Sequence, residues 1–243
     1  MNLKTRILAV AMLFAGIGAF AQSDDAMPTI NPGMDYVDDS GSQQENETSI
    51  SGQAPLEVTF KANAQNVGNY TASYEWRFTE ENGTEPYLIR YEENTQYTFK
   101  KAGTHRIVLY ATFKRGNDVV EYTQEYWNEN TPLSITISES KLEMPNAFSP
   151  NGDDYNEIYK AKSGYQSLVE FHAYIFNRWG QKLFEWTDPA DGWDGTYKGR
   201  KMPTGVYYCL VKAKGADGKV YNIKRDVNLI RDFNETTTNG STE

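Results

Sequence analysis

The stretch "NAFSPNGDDYNEIY" (146–159) crowds side-chain oxygens into a few residues. Asn151, Asp153, Asp154, Asn156 and Glu157 are hard donors of the kind a calcium ion takes. Their spacing is not that of an EF-hand loop, which alternates its acids and turns on a glycine. The other use of such residues is an Asx-type turn, in which side chains hold nearby backbone amides and lead the chain into a strand. A second acidic group, Asp191 and Asp194 around Trp193, has the residue types for paired acid–base work. In a glycine-rich turn the same carboxylates satisfy backbone donors while the indole covers the edge of a core. His105 and His172 are the only histidines and Cys209 the only cysteine, so a multi-histidine metal centre or a cysteine–histidine dyad is poorly supplied. The chain is expected to be no enzyme and to need no cofactor, calcium at residues 151–157 being the one cofactor in view.

The elements that would position these residues are strands. Along the 243 residues, Lys4 and Arg6 open a basic start, Ile7 to Phe20 form a short apolar run, and Ala19-Phe20-Ala21 gives a small-x-small pattern. This predicts a cleaved signal peptide over residues 1–21, and no other segment is long and apolar enough for insertion in a membrane. The net charge is −9 with the signal. An acidic chain repels phosphate backbones and anionic surfaces, which argues against nucleic acid as a partner. The lone Cys209 makes no internal disulfide and is expected inside a strand.

Residues 22–48 hold seven acids and no Lys or Arg. Low hydrophobicity with charge of one sign predicts a flexible, disordered acidic leader. From Ser49 the texture changes. "LEVTFKA" alternates Leu56, Val58 and Phe60 with polar residues, and "YEWRF" places Tyr74, Trp76 and Phe78 on one face. "TQYTFKKAGTHRIVLYATF" gives two strands broken at Ala102-Gly103, and "VEYTQEYW" and "LSITIS" complete the set. The spacing predicts an antiparallel β-sandwich over 49–138, with no amphipathic helix of ten residues or more. "APLEVTF", "YEWRF" and "YTFKKAGTHRIVLYATF" resemble the PKD domain, an immunoglobulin-like sandwich of surface and secreted proteins. The family's Gly-Asp-Gly turn is replaced here by "TEENGTEP" after Phe78.

After a polar linker at 139–143, a second run of strands follows: "VEFHAYIFN", "QKLFEWT", "GVYYCLVKAK" and "VYNIKRDVNLIR". "NRWGQ" (177–181) predicts a tight hairpin with Gly180 free to take positive φ, and "GADGK" (215–219) another. His172 alternates away from the apolar set and is expected on a solvent or interface face.

Four pieces in order, "NAFSPNGDDYNEIY", "YIFNRWGQKLFE", "DGWDGTYKGRKMPTGVYYCLV" and "IKRDVNLIR", resemble the gliding-motility-associated C-terminal domain, the type B sorting domain of type IX secretion. Asp154 and Glu157 stand where that family commonly has Gly and Asp. The resemblance implies a second immunoglobulin-like sandwich over 144–233, followed by a polar tail at 234–243. It also implies passage through the inner membrane and a place at the cell surface or in the medium, with periplasmic or outer-membrane association as the alternative.

The fold expectation is all-β: two tandem immunoglobulin-like antiparallel β-sandwiches after a signal peptide and an acidic leader. The expected function is recognition. The C-terminal sandwich docks to protein partners in secretion or outer-membrane machinery through Arg178, Trp179, Lys224 and Arg225, with its last strand as a free edge. The PKD-like block serves as spacer or adhesion module. One alternative is a glycan-binding surface module with Trp76, Tyr87, Tyr91 and Trp127 as stacking rings. A secreted hydrolase is the other.

Overall fold

The computed structural model describes residues 26–231, so the signal peptide over 1–21 and the polar tail over 234–243 lie outside the described residues. Two compact units divide this span. The first takes residues 26–52, 56–99 and 103–137, and the second takes 53–55, 100–102 and 138–231. Both are built almost wholly of strands in antiparallel sheets, as expected of all-β sandwich domains.

In the first unit, β1 (Gly33–Val37) sits between β2 (Gln43–Glu47) and β4 (Leu56–Lys61), and β4 carries β7 (Asn94–Phe99) on its far side. The facing sheet runs β3 (Ser49–Gly52), β10 (Leu133–Ile137), β8 (Gly103–Arg115), β5 (Thr71–Glu80), β6 (Leu88–Arg90), with β9 (Asp118–Tyr122) also on β8. Alternation decides what is buried. Leu56, Val58 and Phe60 of β4 turn inward against Trp76 and Phe78 of β5, with the Phe60 ring 5.7 Å and 5.0 Å from theirs. In this unit one pairing departs from the antiparallel rule, β3 running parallel to β10, as does the pairing of the first and last strands of the second unit.

Two expectations for this half are corrected. Residues 33–47 are no disordered leader, because β1 pairs with β4 over Gly33–Tyr36 and with β2 on its other side. Averaging over 27 residues hid a short segment whose Ile30 and Met34 are buried, while its acids are answered locally. Asp35 forms an ion pair with Lys61 and accepts the Asn46 amide at 2.9 Å. Asp38 accepts from Ser40, Ser42 and Gln44; these bonds hold its carboxyl down at about 2. The second correction is at "VEYTQEYW", where β9 ends at Tyr122 and one helical turn, α1 (Gln124–Glu129), follows. The turn swings Trp127 inward so that its Nε1 donates to Leu109 O at 2.8 Å.

The second unit is one five-stranded sheet, β11 (Ala147–Phe148), β19 (Val220–Leu229), β18 (Gly205–Gly215), β13 (Leu168–Phe176), β14 (Lys182–Trp186), in that order. Its second layer is thin: a ribbon of β12 (Tyr159–Lys160) with β15 (Gly192–Trp193), a ribbon of β16 (Thr196–Tyr197) with β17 (Arg200–Lys201), and the loops between them. Phe171, Ala173 and Ile175 of β13 and Tyr207, Cys209 and Val211 of β18 line the inner face, in one core with Phe148, Tyr159, Trp186 and Trp193. The expected linker 139–143 belongs to this unit. Leu142 and Met144 are buried in its core, Lys141 N donates to Gln166 O, and Ser140 Oγ donates to Asp217 at 2.8 Å. Apolar residues at 142 and 144 in a polar run are an alternating strand-like edge, and composition alone conceals that.

Candidate docking surface of the second unit

The loop 149–157 is closed by its own side chains. Glu157 Oε1 accepts three consecutive amides, from Asn151 at 3.2 Å, Gly152 at 2.7 Å and Asp153 at 3.1 Å. The carboxylate thus sits in a concavity of N–H groups of the kind that binds anions. Asp153 accepts the Tyr155 amide and the Asn151 side-chain amide, which together hold its carboxyl below the ordinary value, and Asn151 Oδ1 accepts the Asp153 amide. Asp154 and Asn156 take positive φ, a conformation Asx residues tolerate. This geometry is that of an Asx-type turn leading into the strand. The carboxylates of Asp153 and Glu157 accept N–H donors of the loop itself. No cluster of three acids, histidines or cysteines fit for a metal occurs among the described residues.

The hairpin 177–181 is equally self-contained. Asn177 N donates to Gln181 O and Gly180 N to Asn177 O, both at 3.0 Å, while Asn177 Oδ1 accepts the amides of Trp179 and Gln181. Gly180 has φ +79°, which an L side chain rarely adopts. With its backbone fixed in this way, the tip presents Trp179, 76 % exposed, with the Arg178 guanidinium 4.3 Å from the ring centroid.

The turn around Trp193 does the opposite with its indole. Trp193 is fully buried between Phe148 and Tyr207, and its Nε1 donates to Thr196 O at 2.7 Å. Asp194 accepts the Thr196 amide at 2.8 Å, so it braces a turn.

These pieces meet. Phe176 ends β13 opposite Tyr208, Gly205 opens β18 opposite Leu229, and β11 joins β19 at Asn228 and Leu229. The 177–181 hairpin, the 149–157 loop and the 193–202 turns therefore gather at one end of the sheet, and Gln181 Nε2 reaches Tyr197 OH at 3.2 Å across them. Tyr155, Ile158, Val206 and Ile230 are exposed there besides Trp179. Arg231, which sequence reasoning missed, lies among them. Its Nε donates to Met202 O at 2.8 Å, Nη1 to Pro150 O at 3.0 Å and Nη2 to Gly195 O at 2.7 Å. Nothing in its spacing distinguishes it from an exposed cation at a strand end.

Lys224 and Arg225 do not join this end and do not act together. Lys224 pairs with Leu210 and Arg225 with Cys209, so successive side chains leave opposite faces. Lys224 stays exposed on the outer face, in a row with Leu210 and Tyr174. Arg225 turns toward the core side and donates from Nη1 to Met144 O. The last strand is also not a free edge throughout. Asn228 N donates to Asn146 O and Ile230 N to Phe148 O, so the entering chain covers its C-terminal part, and β14 forms the opposite edge. His172 lies on the outer face, stacked on Tyr174, with Nδ1 3.1 Å from the tyrosine hydroxyl.

The four glycan candidates in the first unit separate. Trp76 is fully buried, its Nε1 donating to Glu92 O and Glu93 O, and Trp127 is 4 % exposed; neither ring has a face to offer a sugar. Burying these two indoles is how the sandwich fills its core, which is the correction to that expectation. Tyr87 and Tyr91 are exposed, the Tyr87 hydroxyl lying 3.0 Å from His105 Nδ1.

Against protein families, residues 142–224 match the CHU_C Type IX secretion signal domain. The second unit carries a type IX secretion signal domain. The matched span opens at Leu142, inside the segment the fold has claimed for this unit, and includes the 149–157 loop, the 177–181 hairpin and the Trp193 turn. The domain marks the chain as a type IX secretion-related protein. No curated protein matches the chain. Among solved structures it is similar to dimeric latent PorU from Porphyromonas gingivalis, at 12 % identity and a TM-score of 0.25, with 86 % of this chain and 21 % of that chain covered. The chain thus spans about a fifth of that protein's length. No helix among the described residues is long and apolar enough to cross a membrane.

Proposed function

We propose that the protein is a non-enzymatic surface protein whose second unit docks to type IX secretion or outer-membrane machinery, with the first unit as spacer or adhesion module. The observation that carries this function is the gathering of the motif pieces at one end of the second unit's sheet, where Trp179 and Arg178 stand out from a backbone fixed by Asn177. Exposed aromatic residues beside arginine are the residue types that dominate protein–protein contacts. The loops around them spend their polar groups on each other, which fixes the surface before a partner arrives. The first unit, resembling a PKD domain, supports the spacer role by its closed aromatic core. Its exposed Tyr87 and Tyr91 are the residues through which it would adhere.

The test is the intact mass of the native protein in separated periplasm, outer membrane and medium. A surface or medium form ending shortly before residue 142 means the second unit is a sorting signal removed after use. A form that keeps the second unit at the outer membrane means it is a retained docking domain. Protein confined to the cytoplasm, or found in the medium equally well in cells lacking type IX machinery, overturns the proposal.

A further inference from the structure

We infer that Arg231 is a positioning residue that holds the recognition loops in place, so that the docking end of the second unit is assembled only when the last strand has been laid down. The inference rests on the docking function above for its export arm alone. Two chain segments far apart in sequence present three main-chain carbonyls to one guanidinium: Pro150 from the entering loop, and Gly195 and Met202 from the 193–202 turns. Guanidinium is the side chain that supplies several N–H donors in one rigid plane and no acceptor, which suits three carbonyls and suits lysine poorly. The Arg231 amide adds a contact to Thr204 Oγ1 at 3.3 Å. No carboxylate among the described residues forms an ion pair with Arg231, so its charge is met by carbonyl dipoles.

The glycine opposite is fitted to it. Gly195 has φ +77°, and a Cβ there would come within 3.0 Å of Arg231 Nη2 and 3.1 Å of Pro150 Cγ. The sequence thus leaves room at the one place where the guanidinium and the entering loop close on the turn. Arg231 also lies beyond the matched family span, which ends at residue 224. Because Arg231 follows β19 and Ile230, a chain ending before it would have β18 and all of β19 but no clasp for loop 149–157. Recognition of that loop then reports that the chain has been laid down past the end of the last strand.

The experiment is amide hydrogen exchange on the full chain with Arg231→Gln and Arg231→Lys, run beside export of the same variants from a host with type IX machinery. The expected result is local. Exchange at Asn151, Gly152, Asp153 and Met202 quickens at least tenfold, Tyr207 to Val211 stay within twofold of the parent, and export falls by a similar factor in both variants. A uniform rise in exchange across the sheet would make Arg231 a general stabiliser and overturn the inference, as would unchanged exchange in the loops. Should Arg231→Gln fail to fold, Gly195→Ala approaches the same clasp from the other side and must show the same local pattern. Parent protein that is not exported by the machinery, with the exchange pattern as expected, would remove the docking function and leave the clasp standing.

Discussion

Arg225 donates from its guanidinium to the main-chain carbonyl of Met144, joining the last strand to the point where the chain enters the second unit. Its neighbour Lys224 leaves the other face of the strand and stays exposed. Two adjacent cations of similar appearance thus have unrelated roles. Arg225→Ala should lower stability by about 1–2 kcal/mol, the range for a lost hydrogen bond with a charged partner at a half-exposed place. Lys224→Ala should stay within about 0.5 kcal/mol of the parent. Urea denaturation of the two variants checks this; equal effects would mean the alternation across the strand does not govern them.

Cys209 should be inert in the native protein. It is buried between Ile175 on β13 and Arg225 on β19, and burial pushes its thiol up to about 11, the Tyr159 hydroxyl and the Arg225 charge lowering it less. Thiolate is the reactive form, and burial both disfavours it and denies access to it. A thiol reagent at pH 8 should therefore label the native chain at the rate of global unfolding and label the urea-unfolded chain at once. Fast native labelling would mean that the sheet opens locally at β18.

Trp193 should be indispensable to the second unit. It has no exposed surface, packs against Phe148 and Tyr207, and satisfies its indole N–H on Thr196 O. Trp193→Ala should cost about 3–5 kcal/mol, as large aromatic truncations in cores do. A much smaller loss in thermal or urea unfolding would show that the thin second layer collapses to fill the space.

The strands of both units were legible because period-two alternation is a local signal. Leu56, Val58 and Phe60 state their face within six residues, and so do Phe171, Ala173 and Ile175. The hairpin at 177–181 was legible because Gly180 follows two residues that can turn. What stayed hidden depends on partners distant in sequence. Asp35 joins a strand because Lys61 and Asn46 wait for it, and an acid-rich composition reads the same with or without them. Arg225 and Lys224 look alike until the register with Cys209 and Leu210 assigns them to opposite faces. Arg231 became visible only when three carbonyls, from the entering loop and the 193–202 turns, pointed at one place. Trp76 and Trp127 have the ring chemistry for sugars, and only burial decides that they have no free face.

The exposed end of the second unit should separate function from stability at Trp179. The side chain is 76 % exposed and its contact with Arg178 lies on the surface, so Trp179→Ala should leave the unfolding midpoint within about 0.5 kcal/mol of the parent. Export or envelope association should fall several-fold in the same variant, measured by fractionation and immunoblot. A stable variant exported as well as the parent would take the hairpin tip out of the docking surface.

The strand recovered from the acidic segment should be sensitive to acid. Burial pulls the Asp35 carboxyl upward, but its bond to Lys61, the Asn46 amide and the Lys61 charge outweigh that and leave it below the ordinary 3.8. A carboxyl depressed in the folded state contributes stability that is present above its unfolded value and lost as pH falls through the folded one. The attachment of β1 and β2 should therefore be complete above pH 3.8 and weaken below it, toward the folded value. Protection of the Asn46 amide, followed by exchange from pH 6 down to pH 2, should fall in that acid window while the core strand β5 holds longer. Asp35→Asn, which removes the titrating group, should flatten this dependence at Asn46. If protection there is lost well above pH 4, or the Asp35→Asn chain shows the same profile, another group governs the edge and the ion pair with Lys61 is incidental to it.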